Sequence, residues 1–189
     1  MRIYSQNLLL HGISVPDDAV LRINLAWVNH IDELKTILEK YTNYDIFLDL
    51  PIGRIKPPNN IYLFSDLLPI INQHENIRYF AISNVNGPED LEPYISEIPD
   101  HTNLVPKIES LQGLNNIKEI CERLSEKKIV MLDHDDLYSS ILRSNENPDN
   151  FQNYIKTLVD FCEINNVTLL RTIGVMFGDT EKRISEYVK

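Results

Sequence analysis

Short apolar runs alternate with amphipathic stretches along the whole 189-residue chain. Six runs predict strands: Leu21–Leu25, Asp45–Leu50, Tyr79–Ser83, Leu104–Ile108, Ile129–Leu132 and Val167–Leu170. They are apolar on both alternating faces, as strands are when helices cover one side and a barrel interior packs on the other. Between them apolar residues recur at helical spacing. Ile31, Leu34, Ile37, Leu38 and Tyr41 form one stripe, and Leu114, Ile117, Ile120, Cys121 and Leu124 a second. A third runs through Phe151, Tyr154, Ile155, Leu158, Val159 and Cys162, after a Pro148-Asp149 start signal. Ser65-Asp66 and Pro88-Glu89-Asp90 read as starts of two shorter helices.

Sustained strand–helix alternation calls for parallel βα units, either in a closed barrel or in an open doubly wound sheet. The chain has six glycines and no Gly-x-Gly-x-x-Gly or Gly-x-x-x-x-Gly-Lys-Ser/Thr loop, which removes support for the open nucleotide-binding sheets. Against the barrel stands length, because a (β/α)₈ barrel typically takes about 250 residues and at the low end roughly 200. The run Leu169–Phe177 also leaves no room for a helix between a seventh and an eighth strand. The expectation is one α/β domain over residues 1–189, a small (β/α) barrel of TIM type with a missing or merged βα unit.

Charge narrows the partners. Asp and Glu number 28 against 18 Lys and Arg, a formal net charge of −10, and no basic stripe with interleaved aromatics offsets it. A polyanion would be repelled, so nucleic acid is not expected as a partner. No apolar run approaches the roughly 20 residues that cross a bilayer, and the N-terminus lacks secretory-signal features, so no membrane role is expected. The two cysteines, Cys121 and Cys162, fall on helical stripes, as reduced, buried thiols of a cytoplasmic protein do.

The chemistry-bearing residues cluster at strand ends, where barrel enzymes place catalytic groups. Period-two alternation puts Lys107 and Glu109 on one side of their strand. One strand later Asp133-His134-Asp135-Asp136 forms a dense acidic run. Carboxylates from adjacent strands facing one mouth suit Mg²⁺ or Mn²⁺. The same residues also read as an ordinary ion pair at a strand end and a helix cap at Asp135 or Asp136. His134 reads equally as a ligand or proton carrier and as a helix-start histidine paired with a neighbouring aspartate.

Several segments, read in order, resemble the catalytic barrel of pyruvate kinase: Leu21-Arg22-Ile23-Asn24-Leu25, Leu48-Asp49-Leu50-Pro51-Ile52-Gly53-Arg54-Ile55-Lys56, Ala81-Ile82-Ser83-Asn84-Val85, Lys107-Ile108-Glu109-Ser110 and Asp136-Leu137. The Lys-Ile-Glu segment is the most specific of them. The resemblance implies that Glu109 and Asp136 hold a divalent ion and that Lys107 faces the enolate. It further implies that Arg22 binds a substrate anion, that Thr172 lines the protonation face, and that Asn24 and Asp49 match monovalent-cation ligands. The departures are equally specific. The chain runs straight from Lys56 to Asp66 where that family inserts a lid, no C-terminal domain follows, and Ala26, Leu50, His134 and Asp135 replace family residues.

Together these readings give a Mg²⁺- or Mn²⁺-dependent lyase or aldolase acting on pyruvate or a related 2-oxo acid. Two alternatives stand beside it: a catalytically silent barrel acting in binding or assembly, and a phosphoryl-transfer enzyme whose lid comes from a partner. A shortened barrel exposes a strand edge or helix faces, so homo-oligomerisation is also expected.

Overall fold

The structure, a computed structural model, describes residues 1–54 and 57–171. Seven strands form one sheet: β1 (Ile3–Ser5), β2 (Val20–Asn24), β3 (Asp45–Leu50), β4 (Ile77–Ile82), β5 (Asn103–Ile108), β6 (Ile129–Leu132) and β7 (Thr168–Arg171). Every pairing is parallel, and the spatial order is the order of the sequence. The helices are α1 (Asn7–Leu10), α2 (Ile31–Lys40), α3 (Phe64–Gln73), α4 (Glu92–Ile95), α5 (Leu111–Asn115), α6 (Ile117–Glu122), α7 (His134–Arg143) and α8 (Phe151–Ile164).

β3 and β6 fall on the expected boundaries and the other expected strands move by one or two residues. β1 was not expected; three residues at a chain end carry too little periodicity to be read. The stripe from Leu114 to Leu124 divides into α5 and α6 because Asn116 leaves the helical path, and its side-chain amide donates to the Asn86 carbonyl at 2.7 Å.

Alternation along the strands sorts the core into two compartments. One set of residues, including Leu21, Ile23, Ile46, Leu48, Phe80, Ile82, Val130 and Leu132, packs outward beneath the helices in the larger cluster. The opposite set, Val20, Phe47, Tyr79, Ala81, Val105, Ile129 and Met131, packs on the inner face with Ile3 and Leu170 against it. A sequential parallel sheet with both faces buried curls as a barrel wall does. The α/β class therefore holds, as a curled half-barrel: among the described residues the pairings run from β1 to β7 and none joins β7 to β1, so a closed TIM barrel is not shown. No helix among the described residues is long and apolar enough to cross a membrane.

Candidate active site

The inner face changes character halfway along each strand. In β2 the inward positions run Val20, Arg22, Asn24; in β3 Phe47, Asp49; in β4 and beyond Tyr79, Ala81, Ser83. In β5 they run Val105, Lys107, Glu109, and in β6 Ile129, Met131, Asp133. The N-terminal halves thus give an apolar floor, and the C-terminal ends give a ring of polar groups. That ring lines a cleft of about 150 Å³ together with Gly53, Arg54, Asn84, Asp136 and Arg143.

A buried ion network forms the base of the cleft. Asp49, Glu109 and Lys107 are 1%, 3% and 4% exposed. The Arg22 guanidinium grips Asp49, with Nε donating to Oδ2 at 2.8 Å. Lys107 Nζ donates to Ser83 Oγ at 3.0 Å and lies 2.8 Å from Glu109 Oε1 and 3.6 Å from Asp49 Oδ1. Burial alone would push the Asp49 carboxyl up, but Lys107 and Arg22 outweigh it and hold Asp49 below its ordinary range. Burial works against the Lys107 ammonium in the same way, and Asp49 followed by Glu109 holds it above its ordinary value. Glu109 differs. Burial pushes it up, and the opposing pull of Lys107 and the Asn84 amide does not cancel that push, to which Asp136 adds. Asp49 shares two cations, whereas Glu109 has one cation and an anion opposite.

Glu109 is held by local backbone geometry as well as by charge. Asn84 adopts a positive φ of 56°, a conformation that asparagine tolerates better than most residues, and this turns its N–H onto Glu109 Oε2 at 2.7 Å. Its side-chain amide donates to the Ile52 carbonyl, tying the ends of β3 and β4 together. Asp133 caps α7, accepting the Asp136 N–H at 3.3 Å. The helix thus starts at His134, with Asp133 rather than Asp135 or Asp136 as its cap. That turn swings Asp136 back over the cleft, and carboxylate oxygens of Glu109, Asp133 and Asp136 lie within 4.8 Å of one another.

The structure therefore brings Arg22, Lys107, Glu109 and Asp136 to one cleft. Thr172 lies outside the described residues. Asp135 does not line the cleft. His134 Nε2 accepts from the Arg171 guanidinium, 2.9 Å from a terminal nitrogen and 3.3 Å from Nε. Because arginine only donates, this nitrogen presents its lone pair. Trp27 is 55% exposed rather than packed, and it stands away from the cleft lining. Both cysteines are free and buried, which pushes Cys121 up to about 11 and Cys162 up to about 12. Sequence reasoning passed over Ser83, Asp133, Arg54 and Arg143 as cleft residues. Alternation would have found Asp133, two residues beyond inward-facing Met131.

No family model matches the chain, and no curated protein matches it either. Among solved structures it is similar to RipC from Yersinia pestis, with a TM-score of 0.60 and 14% identity over 94% of this chain and 76% of that one. It is also similar to the citrate synthase SbnG, with a TM-score of 0.64 and 12% identity over 98% of this chain and 80% of that one. At such identities the likeness is one of fold, a curled parallel α/β sheet.

These findings overturn the resemblance to the pyruvate kinase barrel. The segments that carried it are polar-tipped strand ends, which any sheet of parallel βα units with a cleft at its C-terminal edge produces. The residues matched to monovalent-cation ligands are otherwise engaged. Asn24 accepts the Ala26 N–H at 3.0 Å, and Asp49 is taken up by Arg22 and Lys107.

Proposed function

We propose that the cleft holds one divalent cation, Mg²⁺ or Mn²⁺, on Glu109 and Asp136, and that the chain is a lyase- or aldolase-type enzyme stabilising the enolate of a 2-oxo acid. The observation that carries this reading is the convergence of Glu109, Asp133 and Asp136 carboxylates within 4.8 Å. A second supports it: Glu109 Oε1 is buried, and beyond the Lys107 ammonium 2.8 Å away it has no partner among the described residues. Hard carboxylate oxygens so placed fit a small divalent ion. Such an ion supplies Lewis-acid polarisation of a carbonyl oxygen.

The chain's own residues divide the remaining work. Arg22, one face pinned by Asp49, presents its free edge to the cleft and orients a substrate carboxylate. Lys107, committed to Ser83 and Glu109, serves as a positioning residue: it fixes the Glu109 carboxylate and balances its charge instead of reaching the oxyanion. One structural neighbour, SbnG, is a citrate synthase, which agrees with a reading as an enzyme of this class.

Titration calorimetry with Mn²⁺ tests the cation centre. One site is expected in the wild-type chain and none in Glu109→Gln or Asp136→Asn. Exchange of pyruvate methyl protons for deuterium, followed by NMR, tests the chemistry: exchange that requires the ion supports it, and an absence of exchange with any 2-oxo acid overturns it. A second reading, a silent scaffold, draws on the fact that Lys107 and Asn84 already hold Glu109 without an ion. Under it the Glu109→Gln chain matches the wild type in every binding measurement.

A further inference from the structure

We infer that the cleft is bipolar, and that its ligand carries a second anionic group, carboxylate or phosphate, which Arg54 and Arg143 receive. The inference rests on the proposed cation centre only for the ligand's head group; the arginine rim is a separate observation.

Four cations line the cleft, Arg22, Arg54, Lys107 and Arg143. Arg22 is held along one edge by Asp49 and keeps the other for the head-group carboxylate, while Lys107 is held by Asp49 and Glu109. Among the described residues Arg54 and Arg143 have no carboxylate partner. In a chain of net charge −10, where carboxylates outnumber cations throughout, two uncompensated guanidiniums facing one small cleft are a local reversal of the field.

Their placement is built in. Arg54 follows Gly53, whose φ of 71° turns the loop after β3 back over the sheet edge. Its Nε donates to the Pro58 carbonyl at 2.7 Å, which fixes the plane of the guanidinium and leaves its terminal nitrogens for an incoming oxyanion. Arg143 sits seven residues after Asp136 on α7, two turns along the same helix face and roughly 10 Å further on at about 1.5 Å per residue. Helical side chains lean toward the N-terminus, so a long arginine at that position reaches back toward Asp136. The same lining thus carries an acidic pole, Glu109, Asp133 and Asp136, and a basic pole, Arg54 and Arg143. A monocarboxylic 2-oxo acid would leave Arg54 and Arg143 unengaged.

Three 2-hydroxy acids that share a head group isolate the second pole: lactate, malate with a distal carboxylate, and 3-phosphoglycerate with a distal phosphate. Calorimetry in Mn²⁺ is expected to show malate or 3-phosphoglycerate binding about tenfold tighter than lactate, the gain of one charge-assisted hydrogen-bond pair. Which of the two binds more tightly identifies the distal group. The advantage disappears in Arg54→Gln and in Arg143→Gln, is partly kept in Arg143→Lys, and Mn²⁺ affinity stays unchanged in all three. The same series in EDTA separates the two proposals. Arginine-dependent binding of either dianion without Mn²⁺ upholds the basic pole even if the cation centre fails. Equal affinities for lactate, malate and 3-phosphoglycerate overturn it, as does a dianion advantage that survives both glutamine variants in chains with unaltered melting temperatures.

Discussion

The two halves of the inner sheet face are made by the same strands and obey the same alternation, yet they are held together by opposite physics. Toward the strand N-termini Val20, Phe47, Tyr79, Val105, Ile129 and Met131 exclude water and make dispersion contacts, including the tilted Phe47–Tyr79 pair at 6.1 Å between ring centroids. Further along the same strands Asp49, Lys107 and Glu109 are just as buried, with Arg22 half-buried beside them, but these four depend on each other for charge balance. The apolar layer tolerates a smaller side chain at the cost of a cavity. The ionic layer tolerates no removal of one partner without stranding another.

The largest effects should come from breaking each layer at its centre. Lys107→Met strands Glu109, leaves Asp49 with Arg22 alone, and is expected to cost about 3–5 kcal/mol. Phe47→Ala opens a cavity of similar cost, about 3–5 kcal/mol. Denaturant unfolding at several pH values tells the layers apart. In the wild type Asp49 is held low, so its contribution is present above the ordinary carboxylate range and is lost as pH falls through its depressed value. In Lys107→Met, Glu109 loses the one cation that opposes its burial and is pushed further above its ordinary value, so that chain gains stability, relative to the wild type, as pH falls from neutral toward roughly 4. The gap between wild type and Lys107→Met should therefore narrow in acid. The gap to Phe47→Ala should not move.

A smaller effect separates structure from chemistry at one residue of the ionic layer. Asp133→Asn keeps a capping oxygen for the Asp136 N–H and should leave the melting temperature nearly unchanged while weakening Mn²⁺ binding. Asp133→Ala should lose both, with a stability cost of about 1 kcal/mol. Equal melting temperatures for the two variants would show that the cap contributes nothing. The smallest effect is expected at Asn84. Asn84→Gly suits the positive φ and keeps the amide on Glu109, while it gives up only the side-chain bond to Ile52. Its stability should change by less than about 1 kcal/mol, whereas Asn84→Val, strained at that φ, should cost more.

The strand–helix alternation was legible because burial on two faces leaves continuous apolar runs, and β3 and β6 could be bounded to the residue. Lys107 and Glu109 were legible as neighbours because period two is a local property. Their commitments were not. Whether Lys107 points at a ligand or at Asp49 depends on a strand 58 residues earlier in the chain, and no local pattern encodes that pairing. Arg54 and Arg143 escaped notice for the same reason: alone in a loop and at a helix end, each reads as a solvated surface charge. Closure of the sheet was not legible on a different ground. Alternation specifies faces, and it is silent on whether the first and last strands meet.

The sequential order of the sheet also bears on how the chain reaches this state. Each strand pairs with the one made immediately before it, at separations from 17 residues (Ile3 to Val20) to 39 (Ile129 to Thr168). No strand waits for a distant partner, so loop closure is never a long-range event, and each βα unit docks on a template that already exists. Assembly can then follow synthesis from the N-terminus, with one growing edge exposed at a time. The last strand among the described residues, β7, brings Arg171 to His134 at the start of α7, next to the Asp133 that caps it. The cleft, lined from β2 to α7, thus takes shape on a wall whose earlier strands are already in place.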